Sequence, residues 1–159
     1  MSLLDMDDRL AEIAGRIDLV YSPLVDAHNM PEEIDVLLVE GAVATIADRE
    51  KILHLRSCSR ILVAFGDCAV TSNVPGMRNR FARQDVLAQI YPAGDQDVPR
   101  HPGDAIPALL SQVRPVHAIV KVDAFLPGCP PPADTIFFLL SSLLEGHLPD
   151  LTGRSRFGA

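Results

Sequence analysis

Two short and almost unbroken aliphatic runs constrain the fold of this chain most strongly. Ile34–Val39 and Arg60–Phe65 are rich in β-branched and aliphatic residues, and each ends within two residues of a glycine. Continuous apolar runs of this length are typical of strands that are buried on both faces of a parallel sheet. A stretch with helical spacing of apolar residues separates them, so the sequence predicts a β-α-β unit.

The rest of the chain continues the alternation of helices and strands. The other predicted elements are an N-terminal helix ending near Gly15, a crossover helix around Ile46–Leu55, a polar loop from Gly66 to Asn79, helices at Gln84–Tyr91, residues 106–113 and Asp134–Glu145, and a third buried strand at His117–Val122. This order predicts an α/β fold with helices on both faces of a parallel sheet. Doubly wound domains normally open on a strand, so we expect the first strand to be missing here. The predicted domain covers residues 1–148, with 149–159 as a C-terminal tail.

Composition and charge exclude several classes of protein. Fourteen Lys and Arg against 21 Asp and Glu give a net charge of −7, which disfavours nucleic acid as a partner. The longest apolar stretch, Ile136–Leu144, has nine residues, whereas a membrane span needs about 20. The N-terminus is acidic where an export signal would be basic, so a cytoplasmic protein is expected. Three cysteines, an odd number, argue against a disulfide framework.

Two of the cysteines follow predicted strands. Cys68 comes shortly after Arg60–Phe65, and Cys129 follows the predicted third strand. Ligands of open parallel sheets bind where the carboxyl ends of the strands meet, so we expect both thiols at one edge. Their glycine and proline neighbours leave backbone N–H groups free to point at sulfur, and iron–sulfur clusters use this combination of thiolates and N–H donors. The alternative is that both cysteines are small buried hydrophobic residues.

Three further polar residues are placed by the same topology. Cys58 precedes the second strand, at the opposite edge of the sheet, and is interpreted as a structural thiol. Glu40 and Asp67 follow strand ends, where they either carry protons or cap loops. Zinc-ligand spacing of histidines, a phosphate-binding glycine loop and a GxSxG nucleophile motif are all absent from the sequence.

The loop after Cys68 carries apolar residues that a solvent loop does not need. Val74 and Met77 stand near Pro75 and Gly76, with Arg78 beside them. Met, aliphatic and Arg side chains are typical of stable protein interfaces, so the pattern predicts a docking surface. The alternative is that Val74 and Met77 fold back onto the core.

Several motifs resemble one family. They are VEGAV at Val39–Val43, GDCAV at Gly66–Val70, NVPGMRN at Asn73–Asn79 and LPGCPP at Leu126–Pro131. They resemble the small subunit of nickel–iron hydrogenases and the related cluster-bearing subunit of NADH:quinone oxidoreductase. Two further motifs, LLDMD at Leu3–Asp7 and DLVYSP at Asp18–Pro23, are similar to those of the bidirectional NAD(P)-coupled hydrogenases.

The resemblance implies a flavodoxin-like fold and a proximal 4Fe–4S cluster. Cys68 and Cys129 match two of the family's four cluster ligands, and the other two belong to a CxxC that precedes the family's first helix and is expected to be absent here. The nickel–iron site is implied on a large subunit, with electrons passing to a flavin-containing diaphorase, and some members are assigned FMN. The chain would then be a subunit of an NAD-reducing hydrogenase without a complete active site of its own.

The resemblance also gives the docking surface a partner and leaves two alternatives. Val74, Met77 and Arg78 are expected to contact the hydrogenase large subunit, because a proximal cluster must lie close to the partner's active metal. One alternative is a flavodoxin-like structural or interaction domain that has lost its cluster. The other is the cluster subunit of an NADH:quinone oxidoreductase.

Overall fold

The computed structural model describes residues 3–22, 29, 31–91 and 107–158, and in these residues helices surround two small sheets. The helices and strands are α1 (Asp8–Ala14), β1 (Ile34–Glu40), β2 (Val43–Thr45), α2 (Ile46–Ser57), β3 (Ser59–Phe65), α3 (Gly66–Thr71), α4 (Asn73–Gly76), α5 (Arg83–Ile90), β4 (Leu109–Arg114), β5 (Ala124–Leu126) and α6 (Ala133–Leu144). Short 3₁₀ turns cover Leu4–Met6, Met77–Arg80 and Val116–Ala118. The first element described is therefore helical, as predicted.

A parallel sheet in the order β1-β3-β5 forms the centre of the molecule. Strand β1 pairs with β3 from Ile34 opposite Ser59 to Glu40 opposite Phe65. Strand β5 pairs with the other side of β3, and Leu126 lies opposite Phe65. The predicted strands at Ile34–Val39 and Arg60–Phe65 are confirmed, and all three strands end at the same edge.

Alternate residues of β3 enter two different hydrophobic clusters. Leu62 and Ala64 pack on one face of the sheet, while Val63 and Phe65 pack on the other. The helical partners are Ile52, Leu55, Ala69 and Val70 on the first face, and Met6, Ile136 and Leu139 on the second. Helices cover both faces, which confirms the predicted α/β fold.

Local sequence signals explain where the two longest helices begin or end. At the start of α2, the Asp48 N–H donates to Thr45 Oγ1 at 3.0 Å, and the Thr45 N–H donates to Asp48 Oδ2 at 2.9 Å. This reciprocal capping box satisfies two backbone donors that lack helical partners. Gly146, with φ of +84°, follows the end of α6, as the sequence predicted. No helix in the described part of the chain is long and apolar enough to cross a membrane.

Two elements predicted from apolar content are wrong. The third strand is Ala124–Leu126 rather than His117–Val122. The predicted segment begins instead as a helical turn, in which the Ala118 N–H donates to the Pro115 carbonyl and the N–H groups of the next two residues donate to the Val116 carbonyl. Residues 106–113 were predicted as a helix, but Leu109–Arg114 is a strand that pairs antiparallel with β2. Where the local sequence pattern favours neither helix nor strand, the neighbouring strand decides the structure by offering a pairing partner.

The predicted polar loop from Gly66 to Asn79 is also wrong. It is helical over most of its length, as α3, α4 and the 3₁₀ turn at Met77–Arg80. Ser72 separates α3 from α4 in a left-handed conformation, with φ of +70°, and its N–H donates to the carbonyl of Cys68. Cys68 therefore lies in the first turns of a short helix rather than in an extended loop.

Candidate functional site

Parallel pairing brings Cys68 and Cys129 to one edge of the sheet. Phe65 ends β3 and Leu126, its register partner, ends β5. Each cysteine follows its strand end by three residues: Cys68 lies in α3, and Cys129 lies in the connection between β5 and α6, residues 127–132, which we call the Cys129 loop. We call this edge, where the three parallel strands end, the carboxyl edge.

Reciprocal hydrogen bonds join the two cysteine-bearing segments. The Asp67 N–H donates to the Gly128 carbonyl at 2.9 Å, and the Gly128 N–H donates to Asp67 Oδ1 at 2.7 Å. Asp67 and Gly128 each immediately precede a cysteine. The backbone at Cys68 is therefore held in a fixed relation to the backbone at Cys129.

A glycine with positive φ stands in each of the two cysteine-bearing segments. Gly66 has φ of +82°, and a Cβ added there would lie 3.5 Å from the Gly128 carbonyl oxygen. Gly128 has φ of +137°, and an added Cβ would lie 2.5 Å from the Cα of Pro131, closer than real Cβ contacts come. A side chain at Gly128 would force the Cys129 loop to move, and left-handed backbone of this kind favours glycine.

Asp67 is a buried carboxylate that accepts backbone hydrogen bonds on both oxygens. The residue is 4% exposed. Besides the Gly128 bond, Oδ2 accepts the Gly158 N–H at 2.8 Å. Both oxygens accept hydrogen bonds from the backbone of other segments, so the Asp67 side chain holds these segments in place. No sequence signal pointed to the Gly158 contact, because the two residues are 91 positions apart.

The groups around Cys68 disfavour a negative charge on its sulfur. Burial raises the pKa of the Cys68 thiol above its ordinary value, and the nearby Cys129 sulfur and Asp67 carboxylate raise it further, while a hydrogen bond from the Val74 backbone opposes the shift. A thiolate at Cys68 is therefore disfavoured in the free chain. A positively charged ion bound to both sulfurs would reverse this penalty, because opposite charge stabilises the thiolate.

The remaining predicted polar residues lie at opposite edges. Glu40 is exposed at the end of β1, opposite Phe65, so it shares the carboxyl edge with the two cysteines. Cys58 lies between α2 and β3, at the edge where the strands begin, and its Sγ donates to the helical carbonyls of Leu55 and His54 at 3.3 and 3.5 Å. The interpretation of Cys58 as a structural thiol agrees with these contacts.

The segment after Cys68 presents an apolar surface. Val74, Met77 and Phe81 are 64%, 62% and 63% exposed. Val74 lies in α4, Met77 begins the 3₁₀ turn, and Phe81 follows that turn in extended backbone, so all three belong to one short segment. Phe81 is an exposed aromatic residue that the sequence motifs did not single out. We call these three residues the apolar patch.

Arg78 is engaged within the chain, which the sequence did not predict. Its guanidinium donates to the carbonyls of Leu110 and Ala44 at 3.2 and 3.4 Å. These carbonyls belong to β4 and β2, so Arg78 braces the antiparallel sheet from within the chain. The expectation that Arg78 contacts a partner stays a prediction, because these two bonds use only part of the donors of its guanidinium.

Residues 1–143 match the family model of the NADH ubiquinone oxidoreductase 20 Kd subunit. The chain belongs to this family. The match includes both cysteine-bearing segments of the carboxyl edge, and it confirms the resemblance seen in the sequence motifs.

Similar proteins include subunits of hydrogenases. The chain is 40% identical over 158 residues to the NAD-reducing hydrogenase HoxS subunit delta of Cupriavidus necator, covering 95% of this chain and 75% of that subunit. It is 35% identical over 153 residues to a subunit of the F420-non-reducing hydrogenase vhu of Methanocaldococcus jannaschii, covering 95% of this chain and 53% of that subunit. The chain thus spans three quarters of the first relative and about half of the second.

A solved structure shares the fold over nearly the whole chain. A chain in the crystal structure of NAD+-reducing NiFe hydrogenase in the H2-reduced state superimposes with a TM-score of 0.85 at 37% identity, covering 98% of this chain and 90% of that one. The flavodoxin-like arrangement expected from the sequence therefore agrees with a hydrogenase subunit of known structure.

The 4Fe–4S cluster implied by the family fits the carboxyl edge in part. Such a cluster takes four cysteine thiolates, and its potential depends on hydrogen bonds to the sulfurs and on net charge. Cys68 and Cys129 supply two thiols at one edge, and Cys58 lies at the other. Within the described ranges, no group of three or more His, Cys, Asp and Glu side chains is arranged to hold a metal ion. A four-cysteine set therefore needs two further ligands.

Proposed function

We propose that this chain is the electron-transfer small subunit of a cytoplasmic, NAD-coupled nickel–iron hydrogenase, and that Cys68 and Cys129 supply two ligands of a proximal 4Fe–4S cluster. The observation that supports the proposal is the pair of reciprocal hydrogen bonds between Asp67 and Gly128, which joins the two cysteine-bearing segments at the edge where open parallel sheets bind ligands. The identity to HoxS subunit delta supports the hydrogenase assignment.

The cluster would supply one-electron transfer, while this chain supplies position and charge. Cys68 and Cys129 would hold the cluster as thiolates, and Gly128 allows the tight turn of the Cys129 loop, where an added Cβ would lie 2.5 Å from the Cα of Pro131. In this proposal the nickel–iron site belongs to a large partner subunit and a diaphorase module exchanges electrons with NAD. Some members of the family are assigned FMN. Acid denaturation of the purified complex would release any bound FMN and so test whether the complex contains it.

The test is cysteine replacement in the assembled complex. Cys68→Ser and Cys129→Ser should each abolish the electron paramagnetic resonance signal of the proximal cluster and the hydrogen-dependent reduction of NAD. Cys58→Ser is the matched control, because it also removes one thiol but at the opposite edge of the sheet, and it should leave both signals nearly intact. Equal effects of Cys68→Ser and Cys58→Ser would overturn the proposal.

The same preparation separates the alternative functions. The family model, which is that of an NADH ubiquinone oxidoreductase subunit, favours a quinone-linked function as second candidate. NADH-dependent quinone reduction without hydrogen oxidation would support it. A complex that assembles without any cluster signal would instead indicate a structural or interaction domain.

We propose that the apolar patch contacts the large hydrogenase subunit. Val74 and Met77 are exposed and follow Cys68 within nine residues, so a partner metal close to the cluster would bring this surface into the interface. Met77→Asp should reduce co-purification of the large subunit by roughly tenfold, since a charge at an interface centre costs on the order of 1.4 kcal/mol or more. Ile90→Asp, on an equally exposed residue of α5, is the control. Undiminished assembly of Met77→Asp contradicts the assignment.

A further inference from the structure

Asp67 connects three separate parts of the chain through one buried side chain. The Gly128 N–H donates to Oδ1 at 2.7 Å, and the Gly158 N–H donates to Oδ2 at 2.8 Å. Gly128 directly precedes Cys129, and Gly158 belongs to residues 149–158, which we call the C-terminal segment. A single carboxylate thus joins α3, the Cys129 loop and the C-terminal segment.

The C-terminal segment is anchored before it reaches Asp67. Leu151 packs against the hydrophobic cluster on the α6 face of the sheet. Thr135 Oγ1 donates to the Arg154 carbonyl at 2.9 Å, and the Arg154 guanidinium lies 3.8 Å from the centre of the Phe138 ring. These contacts tie the segment to α6, so its last residues arrive at Asp67 along a fixed path.

The charge of Asp67 is compensated by neutral donors only. Among the described residues, the ion pairs involve other carboxylates and leave Asp67 out. Backbone N–H dipoles stabilise the carboxylate without cancelling its charge. A fixed negative charge therefore stands next to Cys68. Adding an electron near such a charge is unfavourable, so it lowers the reduction potential of a redox centre held there.

We propose that Asp67 is a positioning residue of the carboxyl edge: through Gly128 it sets the orientation of the Cys129 loop, and through Gly158 it makes the C-terminal segment part of the site. Its charge also lowers the potential of the centre that Cys68 and Cys129 hold. The part that concerns the redox centre rests on the proposed function. The positioning part concerns this chain alone.

Hydrogen exchange in the full chain tests the positioning role. Asp67→Ala should speed exchange of the Gly128 amide by about tenfold or more, since a protected N–H loses its acceptor. Gly158→Pro removes the second donor and should speed exchange in the C-terminal segment. Gly158→Ala keeps the donor at the same strained φ of +67° and should do so less. Unchanged Gly128 exchange in Asp67→Ala, or equal effects of the two Gly158 variants, would overturn the positioning role.

Redox titration of the assembled complex tests the effect of the charge. Asp67→Asn keeps one acceptor oxygen but removes the negative charge, so the cluster signal should titrate at a more positive potential. Asp35→Asn, on an exposed carboxylate at the start of β1, is the control with the same change in net charge. A shift no larger than that of Asp35→Asn overturns the charge effect. A parent complex without a cluster signal overturns the proposed function instead, and hydrogen exchange still decides the positioning role.

Discussion

Each edge of the parallel sheet carries a largely buried carboxylate and at least one cysteine, but the groups that contact the carboxylate differ between the two edges. At the edge where the strands begin, Asp123 accepts the Leu62 N–H at 2.9 Å and pairs with Arg56 at 3.3 Å. At the carboxyl edge, both oxygens of Asp67 accept backbone N–H groups. One carboxylate is neutralised by a cation of the same chain, and the other keeps its charge.

The cysteines show the same contrast. Cys58 donates to carbonyls of its own helix, so its hydrogen-bonding capacity is used locally. Cys68 lies beside a second sulfur and a carboxylate, and the pKa of its thiol is raised by burial and by both of these groups. Among the described residues, no ion pair neutralises Asp67 at the carboxyl edge, whereas Arg56 pairs with Asp123 at the other edge.

Removing the carboxylate of the carboxyl edge should have the largest effect on stability. Asp67→Ala is expected to lower the free energy of unfolding by roughly 3–6 kcal/mol, because two charge-assisted hydrogen bonds of about 1.5–3 kcal/mol each are lost. Urea denaturation of the full chain, followed by circular dichroism, measures the change. A loss below about 1 kcal/mol would mean that backbone packing alone fixes the two loops.

Breaking the ion pair of the other edge should cost less. The side chains of Arg56 and Asp123 are 20% and 17% exposed, so Arg56→Ala is expected to lower the free energy of unfolding by about 1–3 kcal/mol. Lys121→Ala serves as the control, since the Lys121 side chain is 80% exposed and its Nζ lies 3.6 Å from Asp123 Oδ1. The cluster signal of the complex should not change. A spectroscopic effect of Arg56→Ala would contradict the separation of the two edges.

Cys68 and Cys129 should differ in the rate at which their thiols are alkylated. A raised pKa leaves less thiolate at a given pH, so Cys68 in the cluster-free chain should alkylate more slowly than exposed Cys129 at about pH 8. Its rate should keep rising as the pH moves above the ordinary thiol range. Asp67→Asn should speed Cys68 several-fold and leave Cys58 unchanged, as mass spectrometry of the labelled peptides would show. Equal rates at Cys68 and Cys129 would contradict this prediction.

The smallest effect is expected for an exposed ion pair at the start of the sheet. Arg60 and Asp35 pair at 3.1 Å with side chains that are 82% and 86% exposed. Arg60→Ala should change the free energy of unfolding by less than about 0.5 kcal/mol, because water already solvates both charges. A loss above about 1 kcal/mol in the same urea measurement would show that the strand ends depend on surface charge more than on burial.

Elements with a strong local pattern were predicted correctly, because the pattern of apolar residues reflects one kind of burial along the whole element. Ser59–Phe65 lies between β1 and β5, Ile34–Glu40 pairs with it along its length, and α6 is defined by apolar spacing and by the glycine that follows it. Weak patterns failed. His117–Val122 is as apolar as a strand, yet the described sheet is extended by Ala124–Leu126, because pairing with β3 begins only there.

Local patterns in the sequence were enough to predict β1, β3, α2 and α6, the family motifs and the positions of Cys68 and Cys129 after strand ends. Only the tertiary structure decided that Gly158 reaches Asp67, that Arg78 braces the sheet of β2 and β4, and that the chain after Cys68 is helical. The reason is the separation in sequence between the residues that interact. Local periodicity encodes burial of neighbouring residues, whereas a hydrogen bond between residues 91 positions apart exists only once the intervening elements have packed.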